Sequence, residues 1–364
     1  MRHLVICGLV CVAACGADQA GPVAEPIPVI EPDLVTASVS DDADDPAFWL
    51  HPSDPAQSLI VGTNKVAAPA GALVVFGLDG RIRQTISGID RPNNVDIETG
   101  VLIDGALVDV AVTTERLQHR LRVFRIAPDG SGLSDWGSVP VLAGQTGDQA
   151  EPMGIGLYTR PSDGALFAIV APKLGPASGY LWQYRLVGDG AGGLVGTFVR
   201  RFGNFSERGA EPGEPGEIEA IVVDDELGYV YYADERFAIH KWHADPDHAN
   251  ADTELAVFGE QGYQMDREGL ALYRTSATTG YLVSTDQIPG GSVYKRYRRE
   301  GEPGAPHLHV LVDEVTTNVD ETDGLEVTAA QLPGFSGGLL IAMNSGPRNF
   351  ALFSWDRLFA KDPE

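Results

Sequence analysis

Short apolar runs alternate with polar, glycine-rich turns along this chain, and no stretch of helical period precedes the short segment near Trp355. The runs come in threes. A polar or acidic approach leads into one apolar strand, a Gly/Asp/Pro turn leads into a second that closes on a polar residue, and a third strand carries aromatics. First strands follow Asp45, Asn94, Met153, Glu219, Glu268 and Asp323. Second strands start near Leu59, Asp109, Leu166, Tyr229, Tyr281 and Gly338, and third strands near Leu73, Leu121, Tyr180, Ala238, Ser292 and Phe350. Successive triplets lie roughly 50 to 65 residues apart, the span of one four-stranded propeller blade with its loops. A β-sandwich also has many short strands, but it would not repeat one triplet six times. The pattern predicts an all-β, six-bladed β-propeller over residues 36–364, each blade a four-stranded antiparallel sheet.

The N-terminus has a different pattern. Leu4 to Ala14 is an unbroken small and apolar run behind Arg2, too short to span a bilayer and suited to the core of a signal peptide. Its end, Val12-Ala13-Ala14-Cys15, resembles a bacterial lipobox, so residues 1–14 are expected to be a lipoprotein signal peptide and Cys15 the lipidated residue. Gly16 after that cysteine favours the outer membrane; cleavage after Ala17 would instead leave a periplasmic or secreted protein. Residues 15–35, rich in Pro, Ala and Glu, are expected to form a flexible tether. All three cysteines (Cys7, Cys11 and Cys15) lie in this leader, which excludes a disulfide scaffold for the domain.

Charge narrows the partners. With 51 acidic against 26 basic side chains, the net charge is −25, which argues against nucleic acid and favours cations or simple solubility. The 43 glycines and 24 prolines fit many short elements rather than long helices. Nothing in the sequence specifies an interface, so a monomer is expected, touching a membrane only through the lipid.

A propeller brings equivalent positions of its blades to one mouth. The approach positions would supply Asp44, Asp45, Asp96, Glu219, Asp266, Glu268 and Asp323. The positions after the second strands would supply Lys65, Arg116, Lys173, Glu235, Gln287 and Asn344. Carboxylates so crowded resist ionising together unless divalent cations sit among them. All-oxygen donors suit Ca²⁺ or Mg²⁺ better than zinc, and the flanking Lys and Arg suit an anion such as phosphate.

Several segments carry a resemblance. Asp44-Asp45-Pro46-Ala47-Phe48-Trp49, Thr63-Asn64-Lys65, Asn93-Asn94-Val95-Asp96, Asp224-Asp225-Glu226-Leu227-Gly228-Tyr229, Asp266-Arg267-Glu268-Gly269-Leu270 and Thr322-Asp323-Gly324 resemble the β-propeller phytases. The match extends in order from about residue 36 to Trp355-Asp356-Arg357. It implies a calcium-dependent phosphatase that releases phosphate from myo-inositol hexakisphosphate by direct attack of a metal-activated water. Carried over by position, it makes Asp44, Glu219, Glu235, Asp266, Glu268 and Gln287 ligands of a catalytic calcium cluster. Lys65, Arg116 and Lys173 would hold substrate phosphates, with Asp323 at the same mouth. Asp45, with the carbonyls of Pro46 and Val95, would form a separate structural calcium site.

Three positions depart from the resemblance: Val66, Met153 and Leu174 stand where some members have lysine, tyrosine and glutamate. All fall on the phosphate-holding side, so the expected effect is on affinity or the order of phosphate removal. Asp224-Asp225-Glu226 ahead of Gly228 fits turn chemistry better than metal binding. The histidines show no zinc-like spacing, and no nucleophile elbow or P-loop is present. Two rivals stay open: a metal-dependent sugar lactonase, which has no need of three cations, and a catalytically silent calcium-stabilised propeller that binds anionic ligands.

Overall fold

The computed structural model describes residues 29–209 and 216–359; the predicted signal peptide and Cys15 lie outside them. Six four-stranded antiparallel sheets account for almost all of it. The inner strands are Ala43–Trp49, Pro92–Ile103, Pro152–Thr159, Ile221–Asp224, Leu270–Arg274 and Leu325–Thr328, and each touches the next until the last touches the first. That closed ring is the propeller predicted from the repeats.

Packing explains why the strands read as apolar runs rather than alternating ones. Each sheet lies between two others, so both of its faces are covered. The second strand Leu59–Asn64 and the third strand Ala72–Gly77 of blade one are buried at every residue. Accordingly, the core divides into six clusters, one between each pair of neighbouring blades; Ile60, Phe76, Leu339 and Phe350, for example, join blade one to blade six. The outer strands face solvent on one side. Ile82–Ser87, with no fully buried residue, is the extreme case, and such strands leave no apolar signature.

Ring closure departs from the expectation. The sixth sheet is completed by Leu34–Val35, which pairs with Asn349–Ser354 from the other end of the chain. Asp33 and Thr36 donate backbone N–H groups to the carbonyls of Leu352 and Phe350 (both 2.9 Å), and Ile30 donates to Thr316 (3.0 Å). The propeller therefore includes residues from at least Ile30, ahead of the boundary at residue 36 that the pattern predicts. The physical reason is that the outermost strand of blade six would otherwise be missing, leaving an unpaired sheet edge. Among the described residues no helix is long and apolar enough to cross a membrane.

Candidate active site

One local rule, repeated in every blade, builds the mouth. The residue after each second strand donates its backbone N–H to a carbonyl just ahead of the inner strand of the same blade. Lys65 donates to Asp42 (2.8 Å), Arg116 to Arg91 (3.1 Å), Lys173 to Glu151 (2.8 Å), Glu235 to Glu217 (3.4 Å), Gln287 to Asp266 (3.0 Å) and Ser345 to Asp320 (3.0 Å). The last residue of the second strand points to the opposite side by the strand pleat and plays another part. There Asn64, Glu115, Asp234, Asp286 and Asn344 accept backbone N–H groups from loops beside the mouth. Asn344 is therefore a loop anchor, and Ser345 holds the ring position that the sequence pattern assigned to it.

Glycines let the inner strands converge. A Cβ on Gly154 would lie 2.1 Å from the carbonyl oxygen of Glu219, and one on Gly324 would lie 2.2 Å from an Asp45 carboxylate oxygen. Backbones this close bring side chains from different blades into contact.

The predicted residues meet in two linked groups. In the first, Lys65 is ion-paired with Asp44 and lies 3.8 Å from Asp323, which accepts a hydrogen bond from Gln287. In the second, Glu219 accepts from Asn93, whose own carbonyl oxygen accepts from Arg116 (3.2 Å); Arg116 also pairs with Glu151 (2.8 Å). Glu217, Glu219 and Glu235 bring carboxylate oxygens within 4.8 Å of one another. Asp266 is paired with Arg236, and Lys173 stands at the rim, 3.8 Å from Asp148 and partly exposed.

Electrostatics match that crowding. Burial pushes the carboxyls of Asp44, Glu235 and Glu268 well above the usual range. Neighbouring carboxylates add to it in each case, Glu219 among them, while Lys65 opposes it at Asp44. Asp323 is pushed up to about 6, again by burial first, against the pull of Lys65. Burial disfavours the Lys65 ammonium too, but Asp44, Glu219 and Asp323 outweigh it and hold the lysine protonated well above its ordinary value.

Several oxygens here lack what burial normally demands. Both oxygens of Asp44, Oε1 of Glu235 and Oδ1 of Asp266 are buried without a well-directed hydrogen bond. Buried, acidic, all-oxygen and without Cys or His, this donor set fits a hard divalent cation. Asp45 sits deeper, its carboxylate accepting the Val95 N–H (2.9 Å), so the pair named for a structural cation is together, through the amide rather than the carbonyl of Val95.

Asp96 is displaced from the mouth. It lines the axial channel, a cavity of about 410 Å³ whose wall also carries Glu98, Asp225, Glu326 and Arg274. Asn93, three residues earlier, takes the ring position of blade two and contacts Glu219. Asp224 forms the expected turn, accepting from the Leu227 and Gly228 N–H groups, and also grips Arg299 with both carboxylate oxygens.

A family model described as Phytase matches residues 6–358, a span that includes every side chain at this mouth. The chain belongs to the phytase family. A curated relative, the 3-phytase of Bacillus subtilis strain 168, is 29% identical over 336 residues, covering 88% of this chain and 81% of that protein. A crystal structure of a protein from Lactobacillus plantarum has a TM-score of 0.53 at 14% identity over 89% of this chain and 83% of that one, a likeness of fold alone. Sequence reasoning about this phytase-family chain missed Glu217, Asn93 and Glu151. For Glu217 a signal existed: Glu217-x-Glu219 repeats the spacing of Asp266-x-Glu268.

Proposed function

We propose that the protein is a calcium-dependent phytase that hydrolyses phosphomonoesters of myo-inositol hexakisphosphate and releases inorganic phosphate. The observation that carries this reading is the set of buried carboxylate oxygens on Asp44, Glu235 and Asp266 that lack a well-directed hydrogen bond, gathered at one mouth with Lys65, Arg116 and Lys173. Family membership and the 3-phytase relative support the substrate class. Asp44, Glu219, Glu235, Asp266, Glu268 and Gln287 would hold the ions. Calcium bound there would neutralise phosphate charge and lower the pKa of water.

The chain's own groups do the rest. Arg116 and Lys173 on blades two and three, with Lys65 on blade one, bind and orient the polyanion through charge-assisted hydrogen bonds. Arg116 is held rigidly by Glu151 and Asn93, whereas Lys173 at the exposed rim is free to follow the substrate. Asp44, with Glu219 and Asp323, keeps Lys65 charged. A lactonase needs no such trio of cations, and a silent propeller would not release phosphate.

The test is phosphate release from inositol hexakisphosphate with calcium, with excess chelator, and after calcium is restored. Activity should vanish and return. Glu219→Ala should abolish turnover, a loss of at least ~100-fold, while leaving the far-UV spectrum and melting behaviour of a folded domain. Near-normal turnover would remove Glu219 from the site. We also propose export with lipid attachment at Cys15; mass spectrometry of the mature N-terminus would show the acyl groups or a free end.

A further inference from the structure

We infer that Glu217 is a third carboxylate ligand of the cation held by Glu219 and Glu235, and that it sets the cation affinity of that position. The inference rests on the cation-site reading above and extends it to a residue that reading does not use.

Three observations converge. Glu217, Glu219 and Glu235 each offer a carboxylate oxygen, all within 4.8 Å of one another, the spacing of ligands around one ion. Glu235 is only 7% exposed, and its Oε1 is buried without a partner, so this gap holds a polar atom that the protein leaves unsatisfied. The blade repeat supplies the third. The backbone carbonyl of Glu217 accepts the Glu235 N–H just as that of Asp266 accepts the Gln287 N–H in the next blade and that of Glu151 the Lys173 N–H in the blade before, so the three residues hold one blade position.

Five of the six residues at this blade position carry a carboxylate (Asp42, Glu151, Glu217, Asp266 and Asp320), and they differ in what neutralises them. Glu151 is paired with Arg116 at 2.8 Å and Asp266 with Arg236, but among the described residues no ion pair forms at Asp42, Asp320 or Glu217, and of these three only Glu217 belongs to a group of carboxylates close enough to share an ion. A partly buried carboxylate facing two others, with no ion pair among the described residues, is placed to complete a metal's coordination. Added carboxylate charge tightens such a site.

Calcium titration calorimetry on the chelator-stripped protein tests this. Glu219→Gln identifies the position: the binding step it removes is the one under test. Glu217→Gln should then weaken that step by roughly 10–100-fold, leaving the other steps in place. Both variants keep side-chain size and remove a repelling charge, so their melting temperatures in chelator should match or exceed the parent's. Glu217→Ala is read the same way should the first variant fail to fold. An unchanged step in Glu217→Gln, with the step lost in Glu219→Gln, would overturn the role of Glu217 while leaving the site itself standing. If Glu219→Gln removes no step at all, the cation reading falls and the inference with it.

Discussion

Asn93 shows how a neutral side chain organises charged ones. Fully buried, it donates its amide N–H to Glu219 and accepts from Arg116, so it fixes the separation between that carboxylate and that guanidinium. Removing it leaves Glu219 without that donor and Arg116 with Glu151 alone. Asn93→Ala should therefore lower kcat/KM for phosphate release by roughly 10–100-fold and raise the calcium concentration needed for half-maximal activity. The calcium requirement is the informative readout, because a merely structural role would lower the melting temperature without moving it. Sequence reading fails here for a definite reason. Asn93 and Asn94 are adjacent and chemically identical, and a β-bulge between Pro92 and Val95 breaks the alternation that would otherwise tell them apart. A one-residue ambiguity also separates Ser345 from Asn344, and a three-residue offset separates Asn93 from Asp96. Apart from Asp96, the carboxylates and cations chosen from the pattern do come together, because recurrence at equivalent blade positions is a stronger signal than any single residue.

At the scale of elements, what was legible follows burial. Strands covered on both faces carry continuous apolar runs, and all six inner, second and third strands were visible as such. The outer strands were not: half-exposed segments such as Ile82–Ser87 and Leu194–Asn204 carry too many polar residues to stand out. The closing strand Leu34–Val35 is shorter still, and its partner lies more than 300 residues away, so nothing local announces it. Yet it holds the ring shut, with Asp33 also pairing with Arg357 beside the C-terminal turn. A chain beginning at residue 38 loses those backbone bonds and exposes the edge of blade six. At about 0.5–1.5 kcal/mol net per hydrogen bond, several such bonds are worth a few kcal/mol. Calorimetry should accordingly show a melting temperature lower by roughly 5–10 °C. An unchanged transition would mean that blade six holds without its outer strand.

At the scale of the whole molecule, buried carboxyl groups line the propeller axis, and stability should follow from that. Besides the mouth, the channel wall carries Asp96, Asp225 and Glu326, which burial pushes up to about 6, 7 and 8. Arg274 opposes the shift at all three without cancelling it. A carboxyl raised in the folded state keeps its proton after the unfolded chain, with ordinary values near 4, has lost its own. Between the two values the native state binds more protons, so stability falls as pH rises through that window. Chelator-treated protein should thus melt at progressively lower temperature from about pH 5 to pH 8, opposite to a protein whose carboxylates are held by salt bridges. Glu326→Gln supplies a permanently neutral side chain of the same shape. It should flatten the upper part of that slope and raise the melting temperature at pH 8 by roughly 2–5 °C, with little change at pH 5. A melting profile flat in pH for the parent, or a variant that tracks it at every pH, would mean that water and Arg274 solvate the channel well enough for its carboxylates to ionise normally. The acidic axis would then cost the fold little and would not account for any gain in stability on binding calcium.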